Sequence, residues 1–376
     1  MEETRRQENP ERLKKAKEYE KIHNKLFVLD IALSLIVIVV FIFSGLSQFL
    51  ASQIARFVSN IWLTVGLYVL VCYVASAFLF LPLNFFSGYI LEHRFGLSNE
   101  TKKMWAADFF KNFGINLVLM TVLGESLHLF VRHAGGWWWV WAGTFWLLLG
   151  VLISNIFPVV ILPMFYKVKP LGDQDLVGRL VRMSEAVKAK ILGVFEMDMS
   201  RKSKKANAMF AGVGNTKRII LTDTLVRDYT HEEIESVLAH ELGHFYHRHI
   251  WKLLGVSAAA TFAGLYLTSI LLDLLVRLGG FKGIADVAAL PLFALVLAVF
   301  GVFTMPLTNT YSRILEKEAD VFALEKTGNP AAFISSMRKL ASQNLSNPEP
   351  HPAVEFILYT HPAISKRIKL AERYLK

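Results

Sequence analysis

The sequence predicts a mainly α, polytopic helical membrane protein of about six transmembrane helices, carrying a small α+β insert on the cytosolic side. Three observations point there. The 376 residues are 53% hydrophobic with a mean hydropathy of +0.39, too apolar for an ordinary soluble domain. Apolar runs of spanning length recur along the chain, and between Lys167 and Arg248 they give way to a polar window of mixed helical and strand periodicity.

Residues 1–25 carry 8 basic and 6 acidic side chains ahead of any apolar run, which fits a polar, helical cytosolic extension and not a cleavable signal peptide. Glu2, Glu3, Arg5, Arg6 and the group Lys14, Lys15, Lys17 are expected on its solvated face. A hydrocarbon core of about 30 Å takes about 20 helical residues. Runs near 26–49, 61–85, 113–131 and 138–165 meet that length and form an N-terminal four-span part, 26–166. The last contains Pro158 and Pro163, so a kink or a re-entrant turn is expected. Trp137, Trp138, Trp139 and Trp141 at its entrance read as an interfacial anchor. Runs near 254–276 and 284–308 form a membrane hairpin, 254–308, ahead of a cytosolic C-terminal segment, 309–376. Asp30, Glu125, His128, Asp273 and Asp286 fall in or beside spans, where ionisable groups face a bundle interior or water. Glu125 and His128, three apart on one helical face, are the better cavity candidates; the aspartates suit span ends equally well.

Six crossings put both termini on one side. Only Arg56, Arg132, Arg277 and Lys282 of the 41 Lys and Arg residues fall in the short connections on the other side, leaving 37 with the termini, which the positive-inside tendency makes cytosolic. The formal charge of +10 follows from this bias. No basic stripe interleaved with aromatics argues for a nucleic-acid partner. A single cysteine, Cys72, excludes an intramolecular disulfide and a cysteine metal cluster, and fits a reducing compartment.

The insert, 167–253, reads as a helix over Leu176–Ala189 and strands over Ile191–Phe195, Ala206–Ala211 and Arg218–Leu221, with Gly212, Gly214 and Asn215 turning between the last two. Thr230 is an N-cap with Glu233 as its capping-box partner, and the helix they open runs through His240-Glu241-Leu242-Gly243-His244. Only in a helix do residues four apart project from one face and offer two imidazoles to one ion. Glu241, rotated by about 100°, lies beside that ion, where a carboxylate can take a proton from bound water. The pattern points to zinc. The competing reading is a His-rich cytosolic helix, with His231, His240, His244, His247 and His249 near anionic headgroups.

A zinc hydrolase needs a third protein ligand and an open fourth position. The extended motif with a third histidine fails, because Ile250 occupies that position and His247 the place of the required glycine. His247 and His249 are expected to be solvated or structural. Beyond the hairpin, Glu316 and Asp320 share a helical face, so one can ligate while the other accepts a hydrogen bond from a ligand imidazole. Glu318 is expected to be a surface charge.

With LEHRFGLSNET (91–101), NAMFAGVGNTKRIILTDTL (207–225), the HELGH run, SRILEKEAD (312–320) and HPAVEFILYTHPAISKRI (351–368) in view, the chain resembles the integral-membrane zinc CAAX prenyl proteases over most of 80–376. The resemblance implies His240, His244 and Glu316 as zinc ligands, Glu241 as general base and Asp320 behind the ligands. It further implies Asn207, Ala208 and Met209 on an edge strand that binds substrate backbone. His361 and Arg367 match the family's positively polarised pair beside the metal, with His361 donating to the developing oxyanion. Met209 and Lys317 depart from commoner aromatics. The family typically has seven spans, so the polar start and six-span count are expected to reflect a missing N-terminal span, with a seventh left open.

The expected activity is therefore that of a zinc-dependent membrane endopeptidase, cutting near the C-terminus of prenylated or hydrophobic peptide and protein substrates, among membrane lipids and without nucleic acid. One alternative is a membrane quality-control protease. A metal transporter or sensor is the other, and it predicts ligands near mid-bilayer, away from the cytosolic insert.

Overall fold

The structure, a computed structural model, describes residues 10–212 and 217–375. Glu2, Glu3, Arg5 and Arg6 of the expected N-terminal face, and Gly214 and Asn215 of the expected turn, lie outside the described residues. Among the described residues, six helices are long and apolar enough to cross a membrane, so the chain is a multi-pass membrane protein.

α1, Pro10–Phe43, at 34 residues spans about 51 Å, more than a bilayer core, so its polar first half stands outside as a continuous stalk. The expected first run to residue 49 is cut short. Gly45 adopts φ +81°, which an L side chain resists, and the chain restarts as α2, Leu46–Phe57, 12 residues and too short to cross. α3, Ile61–Leu79, is capped by Asn60, whose side chain accepts from the amides of Trp62 and Leu63 at 3.0 and 3.2 Å. It continues through Leu81–Phe85, a π-helical stretch Phe86–Ile90, and Leu91–Arg94. α4, Lys102–His133, begins well before its apolar run because Thr101 caps it there. α5, Trp138–Ile156, passes into a π-helical stretch, Phe157–Ile161, at Pro158. The proline is thus absorbed by a change of helical register and the chain does not turn back as a re-entrant loop.

The insert forms a sheet of β1 (Val168–Pro170), β2 (Val194–Met197), β3 (Ala208–Ala211) and β4 (Arg218–Thr222) in the order β1-β2-β4-β3. β2 and β4 run parallel and the outer pairs antiparallel. β1 was not expected; its Pro170 is tolerated at a sheet edge. The second strand lies at Val194–Met197, a few residues beyond the expected Ile191–Phe195. α6, Gln174–Ala186, and α7, Asp223–Asp228, accompany the sheet, and Leu176, Leu180, Ile219, Leu221, Leu225, Ile234 and Leu238 fill one core between them.

α8, His231–Tyr246, is followed by α9, His249–Leu278, and α10, Leu290–Thr327. α11 (Pro330–Gln343), α12 (Pro352–Leu358) and α13 (Ile364–Glu372) close the chain. The stalk of α1 lies against this C-terminal part: Arg12 donates to the Ser342 carbonyl at 2.7 Å and Asn347 to Glu20 at 2.6 Å. The stalk of α1 and the C-terminal part it touches therefore share one side of the membrane.

Among the ionisable groups near spans, Asp30 lines a cavity of 710 Å³ with Asn84, Glu92, Glu100, Asp108 and Asn112. Glu125 and His128 are not part of that wall; each has a buried polar atom without a hydrogen-bond partner among the described residues. Asp286 sits at a span end, accepting from the amides of Lys282 and Ala288 at 3.1 and 3.0 Å.

Candidate metal centre

Local chemistry fixes where α8 begins. Thr230 accepts from the Glu233 amide at 3.3 Å, and Glu233 accepts from the Thr230 amide at 2.8 Å, a reciprocal capping box. Ile234, Leu238 and Leu242 anchor the helix in the core. Gly243 lets α10 come close: a Cβ there would stand 3.0 Å from Ala319 Cα and 3.2 Å from its carbonyl oxygen. Carried about 12 Å past the end of the apolar run at residue 308, α10 thereby brings Glu316 against His240 and His244.

His240 Nε2 and His244 Nε2 are 3.2 Å apart, and Glu316 reaches them at 3.2 and 3.3 Å. His240 Nδ1 lies 2.8 Å from Asp320 and donates to it, so its Nε2 lone pair turns inward. Two imidazole lone pairs and a carboxylate facing one another repel unless a cation lies between them. Metal–ligand distances of about 2.0–2.1 Å in a tetrahedral site put neighbouring ligand atoms about 3.3–3.4 Å apart. The two imidazole nitrogens stand 3.2 Å apart, and each Glu316 oxygen approaches one of them, Oε2 to His240 and Oε1 to His244. Glu316 Oε2 is also buried without a hydrogen-bond partner, its approach to His240 lacking hydrogen-bond alignment. The residues fit a divalent metal. Burial works against charge on His240, but Asp320 and the neighbouring Glu316 carboxylate outweigh it and raise its pKa to about 9.

Around this trio, Arg367 is buried and donates twice to Asp320, at 2.8 and 2.5 Å. It stands behind Asp320 and acts through it. The His361 ring remains 57% exposed with Nε2 3.4 Å from Glu316, on the open side of the site. Its loop is held by Arg313, which donates to the carbonyls of Glu355 and Tyr359 at 2.8 and 2.5 Å. Glu241 is half-buried, with no hydrogen-bond partner among the described residues, and its charge reaches Arg367. Asn207 immediately precedes β3, and Ala208 and Met209 lie on it, at the sheet edge opposite Leu221 and Ile220.

His249 takes the structural of its two expected roles, and Glu318, expected as a surface charge and 40% exposed, is tied to it; neither contact was expected. His249 is fully buried with Nδ1 2.9 Å from His244 Nδ1, and Glu318 accepts from His249 and Lys252 at 3.0 and 2.9 Å. Spacing concealed both. Gly243 and Arg313 were also missed; the only available signal was a glycine inside a helix otherwise lacking one, which marks a close approach.

Six apolar helices above a sheet-backed helix pair with three inward-facing metal donors define a multi-pass membrane metallopeptidase. Residues 170–375 match the model of peptidase family M48, and residues 2–167 that of the CAAX prenyl protease N-terminal region, described as five membrane helices. The chain belongs to peptidase family M48. It is 29% identical over 369 residues to the uncharacterized metalloprotease YhfN of Bacillus subtilis, covering 97% of this chain and 86% of that protein. CAAX prenyl protease 1 of Saccharomyces cerevisiae is 29% identical over 311 residues, 77% of this chain and 67% of that one. The crystal structure of Saccharomyces mikatae Ste24p superposes with a TM-score of 0.82 at 25% identity, covering 96% and 88% of the two chains.

Proposed function

We propose that this membrane metalloendopeptidase is a zinc enzyme that opens to the cytosol and cuts peptide bonds near the C-terminus of prenylated or hydrophobic substrates. His240, His244 and Glu316 are its ligands. The observation that carries the reading is the convergence of His240, His244 and Glu316, one donor atom from each lying within 4.8 Å of the others, with the His240 lone pair turned inward. Residues 26–166 and 254–308 are the membrane part; 167–253 and 309–376 carry the metal module.

Bound zinc supplies polarisation of the scissile carbonyl and a lowered pKa for its water. Glu241, without a hydrogen-bond partner among the described residues, would take a proton from the attacking water and return it to the leaving amine. His361, exposed beside Glu316, donates to the developing oxyanion. Arg367 and Asp320 keep the His240 ring in place. Asn207, Ala208 and Met209 present the outer edge of the sheet, to which an extended substrate adds as a further strand. The 710 Å³ cavity among the spans, with Tyr73, Phe80, Trp105 and Phe109 on its wall, gives a hydrophobic or lipid-bearing segment a place to lie. The name of the yeast relative favours a prenylated one.

Purified full-length protein loaded with zinc is offered a farnesylated CAAX peptide and the same peptide unmodified, with products read by mass spectrometry. Cleavage of the farnesylated peptide three residues from its end is expected. Glu241→Gln should retain zinc and lose about 100- to 10,000-fold in rate. Unchanged cleavage by this variant overturns the assignment, and equal cleavage of both peptides removes prenyl selectivity.

A further inference from the structure

α8 ends at Tyr246 and α9 begins at His249, with Arg248 between them at φ +55°, the left-handed region that non-glycine residues avoid. The consequence is local. Arg248 and Ile250 are exposed, whereas His249 is buried at 0% and its ring lies nearly perpendicular to that of His244, the planes at 77° and the centroids 4.9 Å apart.

The hydrogen-bond directions follow from the positions of the nitrogens. His244 Nε2 faces His240 Nε2 and Glu316, so its proton belongs on Nδ1, which donates to His249 Nδ1 at 2.9 Å. His249 then carries its own proton on Nε2 and donates to Glu318 Oε2 at 3.0 Å; Lys252 donates to the same oxygen at 2.9 Å. Every nitrogen in the chain has one role. His240 is held directly by a carboxylate, Asp320, whereas His244 reaches its carboxylate through a second imidazole.

We propose that His249 is a positioning residue: the chain Glu318–His249–His244 fixes the tautomer and ring plane of the second metal-binding imidazole and ties it to the first turn of the span α9. The inference rests on the metal reading above. A histidine that merely filled space at the helix junction would need no acceptor facing His244 and no donor facing Glu318. Partners of this kind hold ligand imidazoles in metal sites, and their loss weakens metal affinity about 10- to 100-fold.

The test is zinc release from purified, zinc-loaded full-length protein to a chromophoric chelator, with zinc content measured after dialysis. His249→Phe fills the volume without the acceptor and is expected to release zinc about 10- to 100-fold faster. His249→Asn, which restores an acceptor oxygen toward His244, should recover most of the loss, and Glu318→Gln should shift release in the same direction by less. Wild-type release from a folded His249→Phe protein overturns the proposal, as does equal weakening by Phe and Asn. Should His249→Phe not fold, Glu318→Gln decides, since unchanged release there breaks the relay. Wild-type protein that binds no zinc overturns the metal reading itself, a result distinct from any of these.

Discussion

Gly243 governs the approach of the helix bearing His240 and His244 to the one bearing Glu316. An added Cβ would press on backbone atoms of Ala319, at 3.0 and 3.2 Å, which cannot swing aside as a side chain can. Gly243→Ala should therefore cost about 1–3 kcal/mol through overpacking and lift Glu316 from the two imidazoles. Lower melting temperature together with reduced zinc content is the expected outcome; full zinc occupancy would show that α10 has room to move. His240 sets the pH response. Its proton is retained to about pH 9 in the metal-free protein, against about 6.5 in an unfolded chain. The associated stabilisation is complete below the unfolded value and lost as pH rises through 9. Zinc needs the lone pair that this proton occupies, so affinity should rise from pH 6 to 9 with proton release. Titration calorimetry in buffers of different ionisation enthalpy measures it, and binding at pH 7 without proton release contradicts the assignment.

At the scale of elements, the start of α8 is tied to α11. Burial pushes the Glu233 carboxyl upward, but Lys339, Ser335 and the Thr230 amide more than offset this and leave its pKa below the usual value. A depressed carboxyl contributes stability above its unfolded pKa and loses it as pH falls through the folded one. Glu233→Gln should lower stability at pH 7 by about 1–3 kcal/mol, the difference from wild type shrinking below about pH 4. Thermal melts of the two proteins across pH provide the check. α10 is the second decisive element. Its apolar part crosses the membrane, yet the helix runs unbroken to Thr327, so Glu316 is delivered by a rigid extension of a span.

At the scale of the whole molecule, the stalk of α1 braces the far end of the chain. Glu20 accepts from Asn347 at 2.6 Å and from the Tyr359 hydroxyl, two residues before His361. The loop bearing His361 is thus held by α10 through Arg313 and by α1 through Glu20. The orientation inferred from the Lys and Arg distribution is testable with a membrane-impermeant thiol reagent. In a Cys72→Ser background, Lys369→Cys, beside the metal module, should be labelled only from the cytosolic side and Lys282→Cys, in a short connection, only from the opposite one. The reverse pattern would place the active site outside the cytosol.

Hydropathy and local capping are properties of contiguous residues, so the sequence alone determined the membrane class, the six apolar helices and the capped helix bearing His240, Glu241 and His244. Spacing narrowed the third donor to the face shared by Glu316 and Asp320, and the family resemblance in the sequence pointed to Glu316. How near Glu316 comes to the two imidazoles belonged to tertiary structure, because it depends on how far α10 slides along α8 at Gly243 before backbones touch. The break at Gly45 stayed hidden because apolar residues continue across it. His249 stayed hidden for a geometric reason: five residues past His244 on an ideal helix it would point about 140° away. One left-handed residue, Arg248, turns it back toward the metal centre, and a single backbone dihedral leaves no mark in hydrophobic periodicity.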